Sequence, residues 1–215
     1  MCLLLNDCRL KRIYLWGLGT FTLIGFGLIG LAVAVFLQHR GLADFLRPGL
    51  ALVDSQGWER AVFSGKPVGE QLLRGTIYGL IVSLNALWII YHDFFTESRE
   101  YFSNLVRNLR IGVPEIIFLS LCAGIGEELL FRGALQHWGG IWITAIVFIG
   151  LHGYLDPRDR NIMIYGCYMT FAVAGFGYLY EQSGLIAAAT AHTVVDTALF
   201  GFLRYWPDMR DDLRI

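Results

Sequence analysis

The sequence predicts an all-α, polytopic integral membrane protein of about six transmembrane helices, on three observations. The 215-residue chain is 55% hydrophobic and only 16% charged, with a mean hydropathy of +0.52, well beyond the composition of an ordinary soluble domain. Its apolar residues gather in runs long enough to cross a bilayer as helices, the form in which a single segment satisfies all its own backbone polar groups. Its lysines and arginines are divided unevenly between the segments that join those runs.

Six runs qualify: residues 13–37, 75–91, 113–135, 141–155, 162–180 and 185–203. The fourth is short, at 15 residues. A polar stretch, 38–74, separates the first two and holds Pro48, Trp58 and Pro67, consistent with a loop carrying an interfacial helix. The whole chain, 1–215, reads as a single membrane domain.

With the N-terminus in the cytoplasm, the inner side collects Arg9, Lys11, Arg12, Arg99, Arg107, Arg110, Arg158, Arg160, Arg204, Arg210 and Arg214. The outer loops hold only Arg40, Arg47, Arg60, Lys66 and Arg74. Both termini are therefore expected on the cytoplasmic side of the membrane. Lys11 and Arg12 before an apolar run also suggest a signal peptide, but the run is too long for a typical one. Tyr205 and Trp206 suit a headgroup belt.

With a net charge of −1 and basic residues scattered singly, nothing offers the basic stripe that nucleic acid requires. The expected partners are membrane lipids and a membrane-associated peptide or protein. Cys2, Cys8, Cys122 and Cys167 are widely spaced and read as small buried hydrophobes. The match of Gly25 to Gly30, "GFGLIG", to a dinucleotide fingerprint lacks the strand that such a site needs, so these glycines read as helix-packing positions.

Within this apolar chain, ionisable residues recur inside three of the runs: Glu127, Glu128 and Arg132 in the third, His152 in the fourth, and His192 with Asp196 in the sixth. Each costs a few kcal/mol to insert on translocon scales and needs a partner or a purpose. Glu128 and Arg132 are four apart and share a helix face, as an ion pair would; Glu127 points about 100° away. His192 and Asp196 share a face in the same way, as do Phe148 and His152. Glu115 and Asp93, near span ends, read as interfacial groups.

The order and spacing of these groups resemble the three motifs of the CPBP family, the CAAX proteases and bacteriocin-processing enzymes. Those motifs appear here as Glu127-Glu128-x-x-x-Arg132, Phe148-x-x-x-His152 and His192-x-x-x-Asp196, over about 113–203. The family includes the type II CAAX prenyl endopeptidases, glutamate-dependent intramembrane proteases. The resemblance implies that Glu127 and His152 activate a water for attack on a peptide carbonyl and that His192 helps stabilise the oxyanion. It implies that Glu128 and Arg132, with Phe148, shape the pocket or hold substrate. Asp196 stands where the family most often has Asn. An ionised Asp cannot donate to an oxyanion, so Asp196 is expected either to be protonated or, the favoured reading, to orient His192.

One alternative is a non-catalytic bacteriocin self-immunity or scaffold protein of the same fold. Another is a zinc hydrolase, since Glu127, His152 and His192 are acceptable zinc ligands; the helical H-E-x-x-H signature is absent, and no cofactor is expected. A proton-coupled transporter ranks lower, since no repeated half-chain is evident. Straight spans raise a difficulty of depth: Glu127 falls about 21 Å from the inner end of the third and His152 about 6 Å from that of the fourth. A break at Gly124 or Gly126, or a bend at Gly150 or Gly153, would bring them together; otherwise one of the span boundaries is misplaced.

Overall fold

The structure, a computed structural model, describes residues 8–39 and 66–205, with side chains over 13–30 and 66–205. Pro48, Trp58, Trp206 and the segments around them lie outside these residues. Among the described residues there is no strand. The helices are α1 (Cys8–His39), α2 (Val68–Tyr91), α3 (Thr96–Asn108), α4 (Val113–Leu130), α5 (Gln136–Leu151), α6 (Arg160–Ser183) and α7 (Leu185–Tyr205). A 3₁₀ turn, Asp93–Phe95, precedes α3, and a π-helical segment, Phe131–Leu135, links α4 to α5 without a loop.

Four helices are by themselves long and apolar enough to cross a membrane: Ile13–Gly30 within α1, then α2, α6 and α7. Helix α2 starts at Val68, earlier than residue 75, because Pro67 at its N-cap and Glu70 in the first turn suit a helix start. Lys66 and Arg74 both pair with Glu70, at 3.3 and 2.7 Å, so that end of α2 carries its own polar collar.

The expected third and fourth spans form one continuous helical hairpin. From Val113 the chain runs through α4 and the π segment to Gly140, where φ is 65° and ψ is 177°. That combination is open essentially only to glycine. Beyond it the chain turns back. Phe131 and Phe148 would be about 25 Å apart on one straight helix, yet their rings meet at 4.7 Å.

The returning arm stops early. His152 caps it, Gly153 takes a left-handed φ of 78°, and Tyr154 N donates to Ile149 O while Gly153 N donates to Gly150 O. This is the glycine-terminated Schellman arrangement. Residues 153–159 then lead to Asp159, whose side chain caps α6 by accepting from Asn161 N and Ile162 N.

The neighbours of α4 set its surroundings. Gly19 and Gly30 of α1 lie against Phe118 and Leu129 respectively, so α1 runs parallel to α4. Arg132 and Gln136 donate to Val173 O and Gly177 O, placing α6 parallel as well. Helix α7 runs opposite, with Arg204 donating to Ile111 O at one end and His192 beside Glu128 midway. The start of α1 and the end of α7 thus lie at the same end of the bundle, where Leu15, Val106, Ile111 and Ile116 form a small apolar cluster.

Gly124 and Gly126 do not break α4. Gly126 sits against Thr22 and Leu23 of α1, and Gly124 against Ala189 and Thr193 of α7, so a side chain at either would meet backbone. Glu115 is buried and its Oε2 accepts from Gly112 N at 3.0 Å at the start of α4. Cys122 is buried as expected, but Cys167 is exposed: a thiol facing hydrocarbon is as well placed as one facing the core.

Candidate active site

The hairpin removes the difficulty of depth. Glu127 lies 13 residues before Gly140 and His152 lies 12 after it, or roughly 19 and 18 Å along the two arms. The returning arm never reaches the far surface, so distances measured from that surface misplace His152. The structure sets His152 Nε2 3.6 Å from Glu127 Oε2.

Helix α7 supplies the third component. His192 Nδ1 is 3.0 Å from Glu128 Oε1, and Arg132 Nε donates to Glu128 Oε2 at 2.8 Å. Glu128 and Arg132 are fully buried. A carboxylate accepts, so His192 carries its proton on Nδ1 toward Glu128. His152 Nδ1 is likewise 2.8 Å from Phe148 O, a carbonyl that can only accept. Both imidazoles therefore turn Nε2 to one atom, Glu127 Oε2, at 3.6 and 4.0 Å. That oxygen is buried and makes no hydrogen bond to the described protein groups.

Asp196 stands 3.5 Å from His192 Nε2. It faces the side of the ring turned to Glu127, while Glu128 fixes the other nitrogen. Glu128, in the last turn of α4, holds Nδ1, while Asp196, one turn beyond His192, reaches only Nε2.

Aromatic rings hold the imidazoles. Phe148 stacks on His152 with centroids 4.4 Å apart, meets His192 edge-on at 5.6 Å, and lies 5.9 Å from the Arg132 guanidinium carbon. Phe176 of α6 stacks on the other imidazole, His192, at 5.7 Å, and Tyr154 lies parallel to His152 at 6.2 Å. Sequence reasoning missed Phe176 and Tyr154. Neither belongs to a spaced pair of polar residues, and both reach the site by tertiary packing. It also missed the Val173 carbonyl, which accepts from Arg132 Nη2 at 3.2 Å.

All seven residues singled out by spacing come together here, on α4, the π segment, the returning arm and α7. Three carboxylates against one guanidinium leave two negative charges in a low-dielectric pocket to be met by protons. Among the described residues no group of three or more His, Cys, Asp or Glu side chains stands in a geometry that could hold a metal ion.

Residues 109–198 match the family described as Type II CAAX prenyl endopeptidase Rce1-like. This segment is similar to the Rce1-like family. The chain is also 36% identical over 101 residues to the uncharacterized protein YpbD of Bacillus subtilis (strain 168), covering 46% of this chain and 51% of YpbD. It thus spans about half the length of that curated relative. No solved structure matches it. The Rce1-like segment begins just before α4 and ends within α7, so it contains every polar residue of the site, while α1, α2 and α3 lie outside it. The apolar helices and the Rce1-like segment together make this a multi-pass membrane protein.

Proposed function

We propose that this protein is an intramembrane endopeptidase that hydrolyses a peptide bond of a membrane-associated substrate without a metal. The observation that carries this reading is the convergence of two imidazole Nε2 atoms on the one carboxylate oxygen, Glu127 Oε2. A water seated among Glu127 and His152 would lose a proton to them as its oxygen attacks the scissile carbonyl carbon. The resulting oxyanion would be met by His192, protonated on Nε2 as well as Nδ1 and balanced by Asp196. Collapse of the tetrahedral species would return the proton from Glu127 to the leaving amine.

In this scheme Glu128 and Arg132 position His192 and do not touch substrate. The Glu128 carboxylate fixes the ring by Nδ1, and Arg132 neutralises the buried charge that does so. Phe148 wedges the two imidazoles at their separation. The site would sit toward the cytoplasmic half of a bacterial inner membrane, with both termini on that side. The basic residues near the floor, Arg107, Arg110, Arg158, Arg160 and Arg204 among them, support this orientation.

The test compares new peptide termini in membranes of host cells making wild type or Glu127→Gln at matched abundance. Termini that appear only with the wild type would establish proteolysis dependent on Glu127. Identical sets in the native host would replace this reading with a self-immunity or scaffold role.

A further inference from the structure

Below the site, toward the end of the bundle that holds α3, lies a cavity of about 130 Å³. Asp196 and Tyr154 stand at its upper edge, beside the His192 and His152 imidazoles. Leu199, Phe200 and Leu203 continue down α7 from Asp196 along one wall, a run of roughly 10 Å. Phe95, Ser98 and Phe102 close it from α3 and the turn before it. The cavity is thus continuous with the reacting groups and is floored by an element outside the Rce1-like segment.

Two of its polar side chains, Arg99 and Asn161, are tied to neighbouring backbone. Arg99, at the lining, gives Nη1 to Ile90 O and Tyr91 O, both at 2.9 Å, and Nη2 to Thr96 Oγ1 at 3.2 Å. It holds α3 against the end of α2, and these contacts fix the direction of its guanidinium donors. Asn161, also at the lining, donates to Phe94 O at 2.9 Å and ties α6 to the same turn. Away from Asp196 and Tyr154 at the upper edge, an occupant meets mainly aliphatic and aromatic walls, with Ser98 and Tyr165 among them. The volume is close to that of an engineered cavity of ~150 Å³ that takes up benzene, enough for one branched or aromatic side chain and too small for an isoprenoid chain.

We propose that this cavity is a specificity subsite that takes a single apolar side chain of the substrate next to the scissile bond, and that α3 sets its depth. The proposal rests on the endopeptidase reading above. A peptide entering from the α3 end would lay its carbonyl alongside Glu127 and His192 while its neighbouring side chain drops between Leu199 and Phe102. Selection then depends on residues that the family segment does not contain.

The experiment maps new termini in native-host membranes for wild type, Glu127→Gln, Phe102→Ala and Ser98→Trp, with abundance and thermal unfolding in detergent matched. At one position flanking the cut, wild type is expected to favour Leu, Ile, Val, Met or Phe. Removing the Phe102 ring deepens the cavity and is expected to raise the share of Trp and Tyr several-fold. Filling it with Ser98→Trp is expected to reduce cleavage at large residues roughly tenfold or more while sites with Ala or Gly persist. Misfolding could not produce opposite shifts from two variants, and if Ser98→Trp fails to accumulate, Phe102→Ala alone decides. Cleavage that depends on Glu127 but keeps the same residue preference in the accumulating variants overturns the subsite and leaves the endopeptidase standing. Identical termini for wild type and Glu127→Gln overturn both.

Discussion

A carboxylate alone in an apolar helix is a cost; Glu127 and Glu128, adjacent in sequence, are placed so differently that the two costs have different answers. Glu128 is closed off by Arg132 and His192, whereas Glu127 keeps a buried oxygen without a hydrogen bond. Arg132→Met should destabilise the fold by about 3–5 kcal/mol, since it strands Glu128 inside the bundle; thermal unfolding in detergent checks it, and an unchanged midpoint would count against the ion pair as a structural element. Glu127→Gln breaks no hydrogen bond to the described protein groups and should leave that midpoint in place while hydrolysis falls roughly 10²–10⁴-fold. Asp196→Asn should change the rate less than tenfold, because an amide oxygen can still accept from His192 and the amide can donate where a carboxylate cannot; a loss as deep as that of Glu127→Gln would place Asp196 in proton transfer. Side-chain spacing made these residues legible, since i,i+4 pairs on a helix must meet. The contact between Glu128 and His192 was not, because 64 residues separate them and only the packing of α4 on α7 closes the gap.

At the scale of elements, hydropathy alone was enough to find the regions of α1, α2, α6 and α7, because each is a long apolar run bounded by polar or glycine-rich chain. It could not reveal the hairpin. The gap between the runs 113–135 and 141–155 marked a break, but nothing in composition says that α4 continues through a π segment or that the returning arm stops at the depth of Glu127. The local stop signal was present in Gly153, whose left-handed conformation ends the arm. Gly140→Val should cost about 1–3 kcal/mol in backbone strain and disturb the alignment of His152 with Glu127. Activity should therefore fall further than the loss of folded protein explains; a fall in strict proportion to folded protein would show that the arm keeps its register without glycine. The amphipathic helix α3 went unrecognised because its apolar positions are interleaved with charges and never form a run.

For the whole molecule, parallel and antiparallel contacts place the start of α1, all of α3 and the end of α7 at one end and Lys66 at the other. Single cysteines replacing Arg110 and Lys66, in a chain whose native cysteines are changed to serine, should label from opposite faces of sealed membrane vesicles, with position 110 reached from the cytoplasmic face. Labelling of both from one face would contradict the bundle, and labelling in the reverse sense would contradict the orientation. Activity in detergent should survive chelators; loss restored by zinc would instead assign Glu127, His152 and His192 to a metal. The hairpin also makes chain length a functional variable. Between Glu127 and His152 each residue added or removed rotates everything beyond it by about 100° and shifts it by about 1.5 Å, so a lipid-facing position such as Ile143 can tolerate many side chains yet not its own deletion. Among relatives of this protein the number of residues between the glutamate and the histidine should vary less than the residues themselves, and a single-codon deletion there should be as inactivating as a change of the glutamate.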